Sequence, residues 1–226
     1  MTTDDIKDGA KIMADKIKEV HNLALTVKAV CGDGLATIQL ATEFGKTIIS
    51  LPDTLFYSKL AKFLSGVNFT DEDRAKMRKW IAENGTEEDN ALRLVSYIDS
   101  AKTKKKVEYL ANVTRCALNY DVSLEFYFRI CNAIDIATEE DLKFLADNIH
   151  KNYDKTFNQN YITQKLYSAG LMMVIETIHD HGKHKFNSMA RLVDVCAVSF
   201  ADDSRYPNPK DTINEIISDL DFQIFE

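Results

Sequence analysis

The chain has 226 residues, 45% of them hydrophobic, with 28 Lys and Arg against 35 Asp and Glu, a net charge of -7. This length supports a sizeable core in one or two domains, and the balance of charged and apolar residues excludes wholesale disorder. With 8 Gly, 3 Pro and 4 Cys, collagen-like and disulfide-scaffold architectures are excluded as well, and the acidic balance argues against a protein that coats nucleic acid.

Asp4, Asp5 and Asp8 precede any apolar run, so the basic start and continuous apolar stretch of a secretory signal are missing. Ile6, Met13, Ile17 and Val20 predict a first helix, which Cys31-Gly32-Asp33-Gly34 should break. The most apolar region, 35–67, is interrupted by Glu43, Lys46, Asp53, Lys59 and Lys62. It therefore falls short of the roughly 18 uncharged apolar residues of a spanning helix. Integral membrane insertion is disfavoured, and the sequence reads as cytoplasmic. Leu51-Pro52-Asp53 should end or kink one segment, because proline disfavours helix in the residue before it. Another helix is expected through Leu55, Leu60, Phe63 and Leu64.

No Gly or Pro occurs between Thr86 and Ala169, which favours helices with short polar connections. Thr70, Thr86 and Thr138 each stand before a cluster of acidic residues. A Thr oxygen can accept from a free backbone amide there, and carboxylates suit the positive end of a helix. Leu92, Val95 and Ile98 form one apolar stripe. Val107, Leu110, Val113, Thr114 and Ala117 form a second at the helical period. Leu124, Tyr127, Phe128, Cys131 and Ile134 form a third, with Ser123 as its cap, and Leu142, Leu145 and Ile149 a shorter fourth. The stretch 153–160 is polar and irregular. From Leu171 to Ile178 the chain is apolar and partly β-branched. It reads either as a strand with a Gly-containing hairpin turn or as one helix ended by Gly182, with the hairpin favoured. Residues 202–209 read as a surface loop. A last amphipathic helix is expected through Ile213, Ile216, Ile217, Leu220 and Ile224.

The expected architecture is mainly α, a multi-helix bundle with one small C-terminal β-hairpin. It reads as an N-terminal helical region over 1–85 and a helical core over 86–226, with Gly85 at the boundary, or as one continuous domain. The widely spaced Cys31, Cys116, Cys131 and Cys196 contain no CxxC pair and read as reduced core residues.

Three constellations bear on chemistry. Gly45-Lys46-Thr47 ends like a phosphate loop, but Leu40 stands where the loop needs glycine, so that reading fails. Lys102-Thr103-Lys104-Lys105-Lys106 could contact phosphates, yet it has no aromatic stacking partners and reads first as a solvated helix face. The densest polar cluster is His179-Asp180-His181-Gly182-Lys183-His184, which reads first as a solvated turn. Its His179-Asp180, Gly182 and Lys183 resemble the His-Asp-x-Gly-Lys string of the HD phosphohydrolases. That resemblance implies a divalent metal held by His150, His179 and Asp180, with water attacking a phosphoester. Such a site needs a further Asp, for which Asp194 and Asp211 are the candidates.

A second resemblance rests on Tyr57-Ser58-Lys59-Leu60-Ala61-Lys62-Phe63-Leu64, on the helix over 106–117, on Asp141-Leu142-Lys143-Phe144-Leu145, and on Leu166-Tyr167-Ser168-Ala169-Gly170-Leu171. The order of these segments is similar to that in a loosely defined set of uncharacterised bacterial and phage helical proteins. It implies such a source, and a turn at His179. The absence of a complete catalytic constellation favours a non-catalytic interaction protein, without cofactor, binding a protein partner or itself through helical faces. The acidic end of the chain, with seven acidic residues against two basic from Asp202 onward, suits such docking. The alternatives are the metal-dependent phosphohydrolase and a peripheral membrane or nucleic-acid binder. The last would use the amphipathic region 37–67 and the lysine run.

Overall fold

The computed structural model describes residues 51–68, 70–82, 87–175, 182–202 and 204–222. The first expected helix, the Cys31-Gly32-Asp33-Gly34 break, Gly45-Lys46-Thr47, Gly85, Thr86, His179, Asp180 and Ile224 lie outside these residues. Among the described residues the protein is mainly α, with nine α-helices and one antiparallel pair of short strands. No described helix is long and apolar enough to cross a membrane. The chain divides into two units, residues 1–57 with 69–96 and residues 58–68 with 97–226.

Helix α1 spans Leu51–Val67, α2 Asp71–Ala82 and α3 Glu87–Ser100. Pro52 is therefore at the start of a helix, where its missing N–H would have no helical partner anyway. In the first unit, Thr70 caps α2 as its sequence predicts. The Asp73 amide donates to the Thr70 hydroxyl oxygen at 3.1 Å, and the Thr70 amide donates back to the Asp73 carboxylate at 3.0 Å. The Thr70 hydroxyl and amide also hold the Asp73 carboxyl below its ordinary value. Met77, Ala91, Leu94 and Val95 are buried in this unit, whereas Leu92 is only half-buried. The inner face of α3 thus includes Ala91 and Leu94 beside the expected Val95.

The second unit is built around α4 (Lys104–Tyr120), which packs on α5 (Leu124–Ile136). Every residue of the two predicted stripes on these helices is buried. The burial follows from their spacing, since steps of three and four return to one helix face. Thr103 caps α4 and Ser123 caps α5. At the centre, the Thr114 hydroxyl bonds both the Leu110 carbonyl, at 2.9 Å, and the Tyr127 hydroxyl, at 3.0 Å. The lysine run is not uniformly solvated. Thr103 turns it into a helix start, Lys105 pairs with Glu108 at 2.7 Å, and Lys106 is buried with its ammonium on the Asp135 carbonyl at 2.8 Å. Burial draws the Lys106 pKa down. Cys116, Cys131 and Cys196 are free and buried, as expected. Burial pushes the Cys196 thiol well up, so it stays protonated against Cys116.

Helix α6 (Glu139–Asn152) begins with a reciprocal capping box between Thr138 and Asp141, and buries Leu142, Leu145 and Ile149. Helix α7 (Tyr161–Ser168) is capped by Asn160 and ends at Gly170, whose φ of 74° is a left-handed value that glycine takes without strain. The strands β1 (Met172–Ile175) and β2 (Lys183–Phe186) follow, paired antiparallel with Val174 opposite His184 and Met172 opposite Phe186. The strand reading of the apolar run is thus the correct one. Phe157 bridges the far side of β2, exchanging backbone bonds with His184 at 2.7 and 2.9 Å. Phe157 and Phe186 meet edge to face at 5.2 Å and both contact Phe144, so β2 is anchored on α6. Helix α8 (Ser188–Val193), capped by Asn187, runs on into a π-helical turn at Asp194–Val198. Helix α9 (Pro209–Phe222) packs on α8 and buries Ile213 and Ile216.

Candidate functional site

Three places in the second unit carry chemistry that regular packing does not explain. The first is centred on Asp194, the residue that opens the π turn. The wider turn is recorded in the Ser199 amide, which donates to the Asp194 carbonyl at 2.8 Å. Such turns inside helices are frequent at functional positions. Asp194 is completely buried, yet its carboxylate has three donors. The Ser199 hydroxyl donates to Oδ1 at 2.7 Å, the Tyr206 hydroxyl to Oδ2 at 2.7 Å, and His150 Nε2 lies 3.0 Å from Oδ2. A buried carboxylate is tolerable when its lone pairs are taken up in this way. An ionised Asp194 requires the proton on Nε2 of His150, leaving Nδ1 as the other ring nitrogen of a side chain that is 34% exposed. The His150 ring also leans on the Tyr206 ring at 4.9 Å. Burial, with the charge and hydrogen bond of Asp194, pushes the Tyr206 hydroxyl far above its ordinary pKa. Arg205 closes the loop. Its Nη1 donates to Ser199 Oγ at 2.8 Å and to the Ala146 carbonyl at 3.1 Å, while its Nε pairs with Asp202 at 3.1 Å.

Of the residues in the metal reading, the structure thus brings His150 onto Asp194. Asp211 is exposed on α9, and His179 and Asp180 lie outside the described residues. Among the described residues no three His, Cys, Asp or Glu side chains converge as metal ligands would. Ser199, Arg205 and Tyr206 carry no spacing signal and fall in or beside the stretch read as a surface loop. Their only sequence hint is that Asp194 stands between Val193 and Val195 in an apolar run, where a carboxylate must find partners.

The second place is a cleft of about 170 Å³ between the end of α4 and the loop after the π turn. Its lining includes Arg115, Asn119, Val195, Phe200, Asp202 and Tyr206. The Arg115 guanidinium lies over the Phe200 ring at 5.0 Å.

The third is the outer edge of β1. His184 spends its backbone N–H and C=O on Phe157, so the Val174–His184 pair carries no ladder bond. In antiparallel pairing this turns the N–H and C=O of Val174 away from β2. The bond from the Asn187 amide to the Leu171 carbonyl, at 3.3 Å, has the same parity. Among the described residues nothing pairs with that edge. Side chains around it are exposed although apolar: Tyr167 at 51%, Met173 and Val174 each at 38%. Tyr167 sets its ring edge to face against His184 at 5.7 Å, so Tyr167 and Val174 flank the same buried histidine. Met173 is on the opposite face of the strand, with Lys183 and Lys185 on the neighbouring positions of β2.

Compared with protein-family models, with curated proteins and with solved structures, the chain matches none.

Proposed function

We propose that the protein is a non-catalytic interaction module that takes up an extended segment of a partner protein along the outer edge of β1. The observation that carries this reading is the main chain of Val174, unpaired on its outer side among the described residues and set between the exposed side chains of Tyr167 and Met173. An open strand edge is a template for another strand, and natural proteins usually shield it with charge, proline or a covering element. Here the edge is instead bordered by apolar side chains.

The two faces of β1 differ, and this defines the partner. An added strand alternates its side chains, one set beside Val174 and Tyr167, the other beside Met173. The first set is apolar. The second meets Met173, on the side where Lys185 stands one strand away, already paired with Asp154 at 3.0 Å and set over the Tyr153 ring. The fitting segment carries apolar residues at alternate positions, on the side of Val174 and Tyr167.

Panning a random peptide library on the full chain tests the reading. Enriched peptides should carry apolar residues at alternate positions. Val174→Pro, which deletes the outward N–H, should weaken them about tenfold, the worth of one hydrogen bond. Enrichment of no common pattern, or peptides indifferent to both Val174→Pro and Tyr167→Ala, would refute it. A native mass of two chains that reverts to one in Val174→Pro would put a second copy in the partner's place.

A further inference from the structure

We infer that the cleft at the end of α4 binds a small organic carboxylate, with Arg115 and Asn119 as its recognition pair. The second unit has four arginines. Arg129 holds Glu125 at 2.6 Å, Arg191 holds Glu215 at 3.4 Å, and Arg205 holds Asp202 at 3.1 Å. Arg115 holds no carboxylate and makes no hydrogen bond among the described residues; its contact is the face of Phe200. Stacking leaves the edges of a guanidinium open, and those edges match a carboxylate bidentately. One helical turn on, Asn119 lines the same cleft, its side-chain amide also without a hydrogen bond among the described residues.

The other polar side chains of the lining, Tyr120 among them, have partners of their own. The Ser199 and Tyr206 hydroxyls both donate to Asp194. Among the described residues Asp202 is the one carboxylate lining the cleft. It is held ionised by hydrogen bonds from Ser204 and is paired with Arg205, so its charge is matched while that of Arg115 is not. One uncompensated cation beside a compensated carboxylate suits a single negative charge and disfavours a doubly charged phosphate. The walls supplied by Val195, Phe200 and Tyr206 are apolar or aromatic, which suits a flat apolar body behind the carboxylate. Size agrees. A water needs roughly 10–15 Å³ of such space, so the cleft of about 170 Å³ takes on the order of ten waters, more than a lone ion fills.

The test is a titration of the ¹⁵N-labelled full chain with benzoate, with inorganic phosphate as the second arm, followed by amide shifts. Benzoate should saturate with a Kd of about 1 mM or tighter, moving amides at 115–120 and 199–202. Arg115→Met should weaken it by at least about tenfold, and Arg115→Lys by less, since an ammonium keeps the charge but loses the fork. Asn119→Leu, on an exposed position, should weaken it severalfold without loss of fold, and decides the matter should Arg115→Met unfold the chain. Absence of saturation, equal affinity in the Arg115 and Asn119 variants, or phosphate binding as tightly as benzoate would each overturn the inference.

Discussion

The Asp194 node and the β1 edge lie in the same unit and solve the hydrogen-bonding problem in opposite ways. At Asp194 a buried charge is closed on every side by His150, Ser199 and Tyr206, and Arg205 closes Ser199 in turn. At β1 the strand satisfies its inner side through β2, and among the described residues the outer main chain of Val174 is left open beside exposed apolar groups. The difference separates two kinds of sensitivity. Where donors and acceptors are closed on one another in the interior, a substitution costs stability. Where they are left open at the surface, a substitution costs association and little else.

The largest effect that sharpens this contrast is expected at Asp194. Asp194→Ala leaves the Ser199 and Tyr206 hydroxyls and the His150 ring without their acceptor, and opens space in a packed turn. Breaking a buried charged network from one side costs about 3–5 kcal/mol. Asp194→Asn keeps the shape and should cost less. Urea unfolding measures both, and a loss under 1 kcal/mol for Asp194→Ala would mean that the node carries no load and the contrast fails.

That node also shows where the sequence was legible and where it was not. The stripes on α4, α5 and α6 are periodic, and the caps at Thr70, Ser123 and Thr138 act within three residues, so local chemistry was enough to read them. Asn160, which caps α7 through Thr163 three residues on, carries the same kind of local signal, but it closes a polar stretch without helical periodicity that hides it. The Asp194 network is of another kind. His150 reaches it from 44 residues upstream and Tyr206 from 12 residues downstream, so no window of sequence contains it. The β1 edge was half legible. Apolar, β-branched residues and Gly182 pointed to a strand pair, but which side of β1 stays open follows from the Phe157 bridge, a contact with no sequence signature.

Next in size is Met173→Pro. Met173 is opposite Lys185 in a pair that the alternation makes hydrogen-bonded, so proline removes a ladder donor and strands the Lys185 carbonyl. The expected loss is about 2–4 kcal/mol, the bond together with the unsatisfied acceptor. Hydrogen exchange should show it as lost protection at Lys183, Lys185 and Asn187, whose amides face β1.

Tyr206→Phe comes third. It removes one of three donors to Asp194 and should cost about 1.5–3 kcal/mol, the range for a hydrogen bond to a charged group. It also has a pH signature. The folded chain raises the Tyr206 pKa above the ordinary tyrosine value of about 10, so the folded state retains a proton that the unfolded chain gives up. Stability from this group is complete below about pH 10 and declines as the pH rises past it. Tyr127, also shifted upward by burial, contributes a similar decline in both proteins. Urea midpoints between pH 8 and pH 11 should therefore fall less steeply in Tyr206→Phe than in the parent chain. Equal slopes would mean that the Tyr206 hydroxyl is not held by Asp194 in solution.

The smallest stability effect is expected one residue along from Met173, and it bears hardest on the contrast. Val174→Pro deletes an N–H that points away from β2 and has no partner among the described residues, so the ladder loses nothing. Proline is tolerated on an open edge for this reason, and the residual cost, from fitting its fixed φ into a strand, should stay near or below about 1 kcal/mol. Side-chain chemistry cannot explain such a difference between neighbours, since Met173 and Val174 are equally exposed, at 38% each. Backbone direction alone distinguishes them. If Val174→Pro unfolded the strand pair as Met173→Pro should, the outward N–H of Val174 would be bonded in solution, and the edge would be a closed structural element like the Asp194 node rather than a place left open for a partner.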